Sequence, residues 1–197
     1  MPLRFGLLAL ALLFCPVLRA QSADLPASGP RGARFVKSVL LQGMAGETVY
    51  GAFEAGYGVE LSLLRSLGSD WRAGIGAGFN RFGYEEYKRL APLYAEVQWA
   101  PLNRKRHIPY LLAGTGYSWA WKNRDSFYRE VQGGMRLHLA TGLLWHLFKT
   151  SELRSEIGVL RQSAFSEQDL FWWGGGENFT RETLRMNRWV LRIGWSF

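Results

Sequence analysis

Across most of residues 34–197, apolar and polar residues alternate with a period of two, the spacing of a strand whose two faces meet different surroundings. The last fifteen residues show it best: Trp189, Leu191, Ile193, Trp195 and Phe197 are apolar, and Arg188, Arg192, Gly194 and Ser196 fall between them. From Gln132, one side carries Met135, Leu137, Leu139, Leu143, Trp145 and Leu147, and the other Gln132, Gly134, Arg136, His138 and Gly142. Leu93, Ala95, Val97 and Trp99 alternate with Tyr94, Glu96 and Gln98, and Ala73, Ile75, Ala77 and Phe79 with Arg72, Gly74, Gly76, Gly78 and Asn80. Breaks between the runs predict eight strands, at 34–44, 49–64, 71–84, 90–100, 108–121, 130–148, 152–164 and 183–197. The first is the least regular, because Phe35 to Gly43 alternates poorly. Most exceed the usual soluble strand of about 5 to 6 residues, and several reach the roughly 9 to 11 that a tilted strand needs to cross a bilayer.

The connections also alternate. Leu67 to Asp70, Pro101 to His107 and Lys149 to Ser151 are short, whereas Gly83 to Arg89, Lys122 to Arg129 and Phe165 to Glu182 are polar or aromatic and longer. An even strand number with short turns at one rim and longer loops at the other predicts an all-β fold, an eight-stranded antiparallel up-and-down transmembrane β-barrel. After residue 20 no run of 18 apolar residues exists, so no helix of this chain is expected to span a membrane.

Residues 1–20 read as a cleaved secretory signal, with Arg4 ahead of the apolar run Phe5 to Phe14 and the small Ala20 before Gln21. Residues 21–33, rich in small residues and holding two prolines, read as a flexible periplasmic lead-in, which leaves 34–197 for the barrel. The single cysteine, Cys15, lies in the signal, so the mature chain has no disulfide, thiolate nucleophile or Cys-based metal site. Without Arg4 and Arg19, 22 of the 24 basic residues remain against 16 acidic ones, a moderate net charge of +6. Aromatics make up 15% of the chain and 23 residues are glycine, a pairing that an ordinary core does not favour.

A barrel in water would turn its apolar face inward around a ligand. Here the polar face instead carries the glycines Gly56, Gly58, Gly74, Gly76, Gly78, Gly114 and Gly116 together with Glu54, Glu60, Arg72, Glu96, Arg136, His138, Glu156, Arg188 and Arg192. Eight strands enclose a lumen only wide enough for side chains, and inward glycines make room there for long Arg and Glu side chains that neutralise one another. The apolar face then meets lipid, and Trp71, Trp99, Trp119, Trp121, Trp145 and Trp195 form an interfacial belt.

On the Ala20-Gln21 junction, the strand Tyr110-Leu-Leu-Ala-Gly-Thr-Gly-Tyr117 and the terminal Ile193-Gly-Trp-Ser-Phe197, the chain resembles small Gram-negative outer-membrane β-barrel proteins of the OmpA/OmpX-like, porin-family kind. The resemblance implies location in the cell outer membrane, contact with outer-membrane lipid and lipopolysaccharide, and Ile193, Trp195 and Phe197 as the signal read by the barrel-assembly machinery. A peptidoglycan-binding domain after the barrel is not expected, which departs from full-length OmpA-type proteins.

Some barrels of this size edit lipid A, and such a hydrolase needs a nucleophile with a base in reach. The histidines are His107, His138 and His146; none stands at the predicted height of Ser118 or Ser163, the serines nearest the outer rim. The deacylase pattern of His followed closely by Ser and Asn is absent. No histidine cluster has metal-ligand spacing, and no cofactor is called for. The glycine runs lack the strand-to-helix context of a phosphate loop. Arg104-Lys105-Arg106 has no interleaved aromatics, which argues against nucleic acid. Phe171-Trp172-Trp173, followed by three glycines, reads either as part of the aromatic belt or as an exposed recognition tip. The expectation is a monomeric, non-enzymatic barrel with a structural or surface-interaction role and a lumen plugged by charged side chains. A lipid A or phospholipid-modifying barrel enzyme and a narrow pore for small solutes are the alternatives.

Overall fold

The computed structural model describes residues 35–47, 53–82, 89–101, 107–121, 128–148, 151–170 and 178–197. Its elements are all strands: β1 (Phe35–Glu47), β2 (Phe53–Ser66), β3 (Trp71–Phe82), β4 (Arg89–Trp99), β5 (His107–Ala120), β6 (Tyr128–Gln132), β7 (Gly134–Phe148), β8 (Ser151–Leu170) and β9 (Asn178–Ser196). β6 and β7 are successive parts of one stave. Both pair with β8, and the residue between them, Gly133, shifts the register by one. A Cβ at Gly133 would collide with the Ser118 carbonyl, so the bulge requires glycine. Each stave pairs antiparallel with its neighbours, and β9 returns to pair with β1, giving a closed eight-stranded barrel.

The stagger of that closure can be followed residue by residue. A row of directly opposed residues runs from Met186 through Gln162, Arg136, Gly116, Tyr94, Gly76, Ser62 and Ser38, and meets β9 again at Ser196, ten residues beyond its start. For eight strands such a stagger goes with a tilt of about 40°, within the range of transmembrane barrels.

Alternation along the strands separates inside from outside. β1 is the most regular in burial, with Val36, Ser38, Leu40, Gln42 and Met44 all inward. Its sequence alternates poorly because Val36 and Leu40 are apolar residues on the inner face. Gln132, expected on the inner face with Gly134 and Arg136, is exposed instead, since the Gly133 bulge reverses the phase of β6 relative to β7. The stretch Phe165 to Glu182, expected as a long loop, continues as strand on both sides, to Leu170 and from Asn178. It is a hairpin whose ladder runs without a break from Glu152↔Ser196 to Leu170↔Asn178, beyond the point where β1 ends.

The interior is more apolar than the polar-face reading expects. Met44, Phe82, Leu90, Leu160, Ala164, Met186 and Val190 cluster toward the loop end, and Ala100, Ile108, Tyr110, Leu112 and Leu144 toward the turn end. The buried charges lie between and beyond these clusters.

Candidate functional site

Two surfaces of the barrel carry charge and aromatic side chains in ordered arrays: the inner wall and the outer rim.

On the inner wall, Glu60 of β2 is fully buried and receives Arg136 of β7 at 2.6 Å and Arg192 of β9 at 2.9 Å. Tyr94 Oη donates to it at 2.8 Å and Gln42 Nε2 at 2.9 Å. Glu156 of β8 is paired with Arg154 at 2.7 Å and with the same Arg192. Arg192 is thus a bridge between two carboxylates from opposite walls, and its Nη2 also donates to His138 Nδ1 at 2.9 Å. That bond makes His138 Nδ1 an acceptor and fixes the neutral tautomer with its proton on Nε2. Glu96 is buried among the same charges, yet its carboxylate makes no hydrogen bond among the described residues, and neither does the side-chain amide of Gln98.

Two repeated units support this network. Tyr94 lies opposite Gly76, and Arg136 stacks over its ring with Cζ 4.6 Å from the centroid. Tyr110 lies opposite Gly142, and Arg154 stacks over it at 5.6 Å. A Cβ at Gly76 or Gly142 would fall on the tyrosine ring, so each glycine is the seat of an aromatic that in turn carries a guanidinium.

Separate pairs close the two ends. Near the loops, Arg188 binds Glu54 at 2.5 Å and the Gly46 carbonyl at 2.6 Å. Near the turns, Arg72 grips both oxygens of Glu152, at 2.9 and 3.1 Å, and His146 Nε2 lies 3.2 Å from Glu152.

The structure therefore brings Glu54, Glu60, Arg72, Arg136, His138, Glu156, Arg188 and Arg192 into hydrogen-bonded contact on the inner wall, and buries Glu96 beside them. Arg154 belongs to the central network as well; Gln42, Tyr94 and Tyr110, which join it, and Glu152, which joins Arg72 at the turn end, were not among the expected residues. Strand parity alone would have found Gln42, Tyr94, Tyr110 and Glu152, since each shares the inward phase of its strand. Ile193, Trp195 and Phe197 all point outward, and Phe197 exchanges two backbone hydrogen bonds with Lys37, at 2.9 and 3.0 Å. Phe171, Trp172 and Trp173 lie outside the described residues.

The outer wall is the inverse of the inner one. Val59, Leu61, Leu63, Ile75, Leu93, Leu137, Leu139, Leu191 and Ile193 form an exposed apolar band. Phe35, Trp71, Trp99, Trp195 and Phe197 border it at the turn end, and Phe53, Tyr57, Tyr117, Trp119, Trp121 and Trp189 toward the loop end. A band about 25 Å tall between aromatic girdles is what a bilayer requires of a barrel exterior.

Among solved structures, the chain is similar to Neisserial surface protein A, with a TM-score of 0.60 at 16% identity over 84% of this chain and 98% of that one. It is also similar to the outer membrane protein OprG from Pseudomonas aeruginosa, with a TM-score of 0.64 at 12% identity over 85% and 96%. The fold is that of outer-membrane β-barrels. No family model matches the sequence, and neither does any curated protein. The fold and the exposed apolar band between its aromatic girdles are those of a membrane-spanning barrel.

Ser118 and Ser163, the two serines expected near the outer rim, are both engaged. Ser118 is buried, and its hydroxyl donates to Gln162 Oε1 at 2.9 Å; Ser163 Oγ donates to the Met135 carbonyl at 3.2 Å. His107 sits at the opposite end of β5, its ring edge-on to Trp145 with centroids 4.5 Å apart.

Proposed function

We propose that the chain is a non-enzymatic outer-membrane barrel whose lumen is closed by charged side chains and whose role, structural or in surface interaction, resides on its outer face and loops. The observation that carries this reading is Arg192, a fully buried guanidinium held by Glu60 from β2, Glu156 from β8 and His138 from β7. A cation tied to three sides of an eight-stranded barrel occupies the space through which a solute would pass. Ile193, Trp195 and Phe197 supply an outward aromatic pattern for the barrel-assembly machinery, and lipopolysaccharide and other outer-membrane lipid are the natural partners of the exterior. The protein acts as a monomer in this reading.

Planar bilayers containing the folded protein test it. No discrete conductance steps are expected; steady ohmic steps would favour the narrow pore for small solutes instead. Release of fatty acid from lipid A or phospholipid, lost on Ser118→Ala or Ser163→Ala, would favour the enzyme.

A further inference from the structure

Glu96 of β4 and His138 of β7 stand on either side of Gly114, the β5 residue that each directly opposes. Beyond Glu96 on its other side comes Gly74, so neither neighbouring strand sets a side chain beside it. Other inward glycines are filled from next door: an added Cβ would strike the Tyr94 ring at Gly76, the Tyr110 ring at Gly142 and Leu40 at Gly194. At Gly114 an added Cβ would come no closer than 3.3 Å to any atom, the Ala95 carbonyl oxygen, with Glu96 Cβ next at 3.5 Å. The inner wall therefore leaves room between Glu96 and His138.

Three buried side chains border that room with polar atoms that have no hydrogen-bond partner among the described residues. They are both oxygens of Glu96, Nε2 of His138, and the amide oxygen and nitrogen of Gln98, the next inward residue of β4. Buried polar groups are in the great majority hydrogen-bonded, and an internal guest needs two to four such partners. The donor and acceptor pattern defines the guest. Glu96 only accepts, His138 Nε2 carries the proton and donates, and Gln98 does both, so the guest must donate and accept. Its charge follows from the surroundings: Arg136, Arg154 and Arg192 face Glu60, Glu96 and Glu156, and the pairs Arg188–Glu54 and Arg72–Glu152 balance separately. An ion would leave this buried set with a net charge, which a neutral guest does not. Its size is small, since two ladder spacings put the Cα atoms of Glu96 and His138 about 10 Å apart and their side chains take up most of that distance.

We propose that Glu96, His138 and Gln98 form a binding site inside the barrel for a small neutral molecule that both donates and accepts hydrogen bonds, water or a solute of that class such as glycerol. Bound there, the guest links Glu96 to His138, and through His138 Nδ1 to Arg192. Phe82, Leu90 and Leu160 close the lumen on the loop side, so the site holds a guest without forming a passage, and the inference does not depend on conductance.

The test is nuclear magnetic resonance of the detergent-folded mature chain carrying 15N-labelled histidine. A rotating-frame Overhauser contact, whose sign separates proximity from exchange, should join water to the His138 Nε2 proton. Added glycerol distinguishes the sources: a saturable shift of His138 Nε2 with loss of the water contact identifies a solute site, and a water contact that glycerol leaves unchanged identifies a water site. Neither signal in the wild type overturns the proposal. Gly114→Ser sets a hydroxyl in the same place and should abolish the signal while keeping the midpoint of urea unfolding. Gly116→Ser, whose added Cβ would fall 2.6 Å from Tyr94 Cβ, should lower that midpoint. A signal that persists in Gly114→Ser, or a midpoint that falls there as far as in Gly116→Ser, overturns the site.

Discussion

The Tyr94 ring fills the space that a side chain at Gly76, its directly opposed neighbour, would occupy. From that seat its hydroxyl reaches Glu60 and its face carries Arg136, so one missing side chain on β3 sets the geometry of three residues on β2, β4 and β7. Gly76→Leu should therefore unseat the ring and destabilise the barrel by about 1 to 3 kcal/mol, the usual cost of overpacking. The lowered midpoint of a urea titration in lipid vesicles measures it. Replacing the exposed Gly43, whose added Cβ meets nothing within 4 Å, should leave that midpoint unchanged.

Arg192 serves Glu60 and Glu156 at once, so its removal takes one guanidinium from each of two buried carboxylates and leaves Glu60 with Arg136 and Glu156 with Arg154. Arg192→Ala should cost about 3 to 5 kcal/mol, the range for breaking a buried pair. Adding Glu156→Gln to it should cost less than the sum of the two single changes, because the contact they share can be lost only once. A double-mutant cycle by reversible unfolding reads the coupling, and additive costs would show that the two residues do not share a network.

Leu139 is exposed on the middle of the outer wall, opposed by Ala113 on one side and Val159 on the other. Leu139→Arg should cost about 2 to 4 kcal/mol in a bilayer, against roughly 0 to 1 for Phe53→Arg at the loop-end girdle. Equal costs at both depths would contradict the position of the apolar band.

At the turn end, Arg72, Glu152 and His146 form a partly buried triad. Glu152→Gln keeps the shape and removes the charge, and should cost about 1.5 to 3 kcal/mol, the worth of a charge-assisted hydrogen bond. Glu60→Gln, fully buried and held by two arginines, should cost more. The ranking of the two in one unfolding series checks that burial sets the cost.

Much of the fold was legible from the chain because a barrel wall is a two-sided surface, and a period of two reports two sides. The predicted strands 71–84, 90–100 and 108–121 match β3, β4 and β5 to within a few residues. Legibility failed where inside does not mean polar. Val36 and Leu40 on β1, and the cluster around Met44, Phe82 and Leu160, put apolar residues on the inner face, where hydropathy cannot tell lumen from lipid. It failed again at Gly133, where a one-residue bulge reverses the phase and sends Gln132 outside.

The sequence by itself determined the local properties: which residues share a face of each strand, how many strands there are, and that one face must meet lipid. These depend on neighbours two residues apart, so the alternation carries them. The tertiary structure alone decided which charges meet. Arg192 contacts Glu60, 132 residues away in the chain, only because the barrel closes with a stagger of ten residues and brings those positions to one level. That stagger is a property of all eight ladders together, and no single strand encodes it.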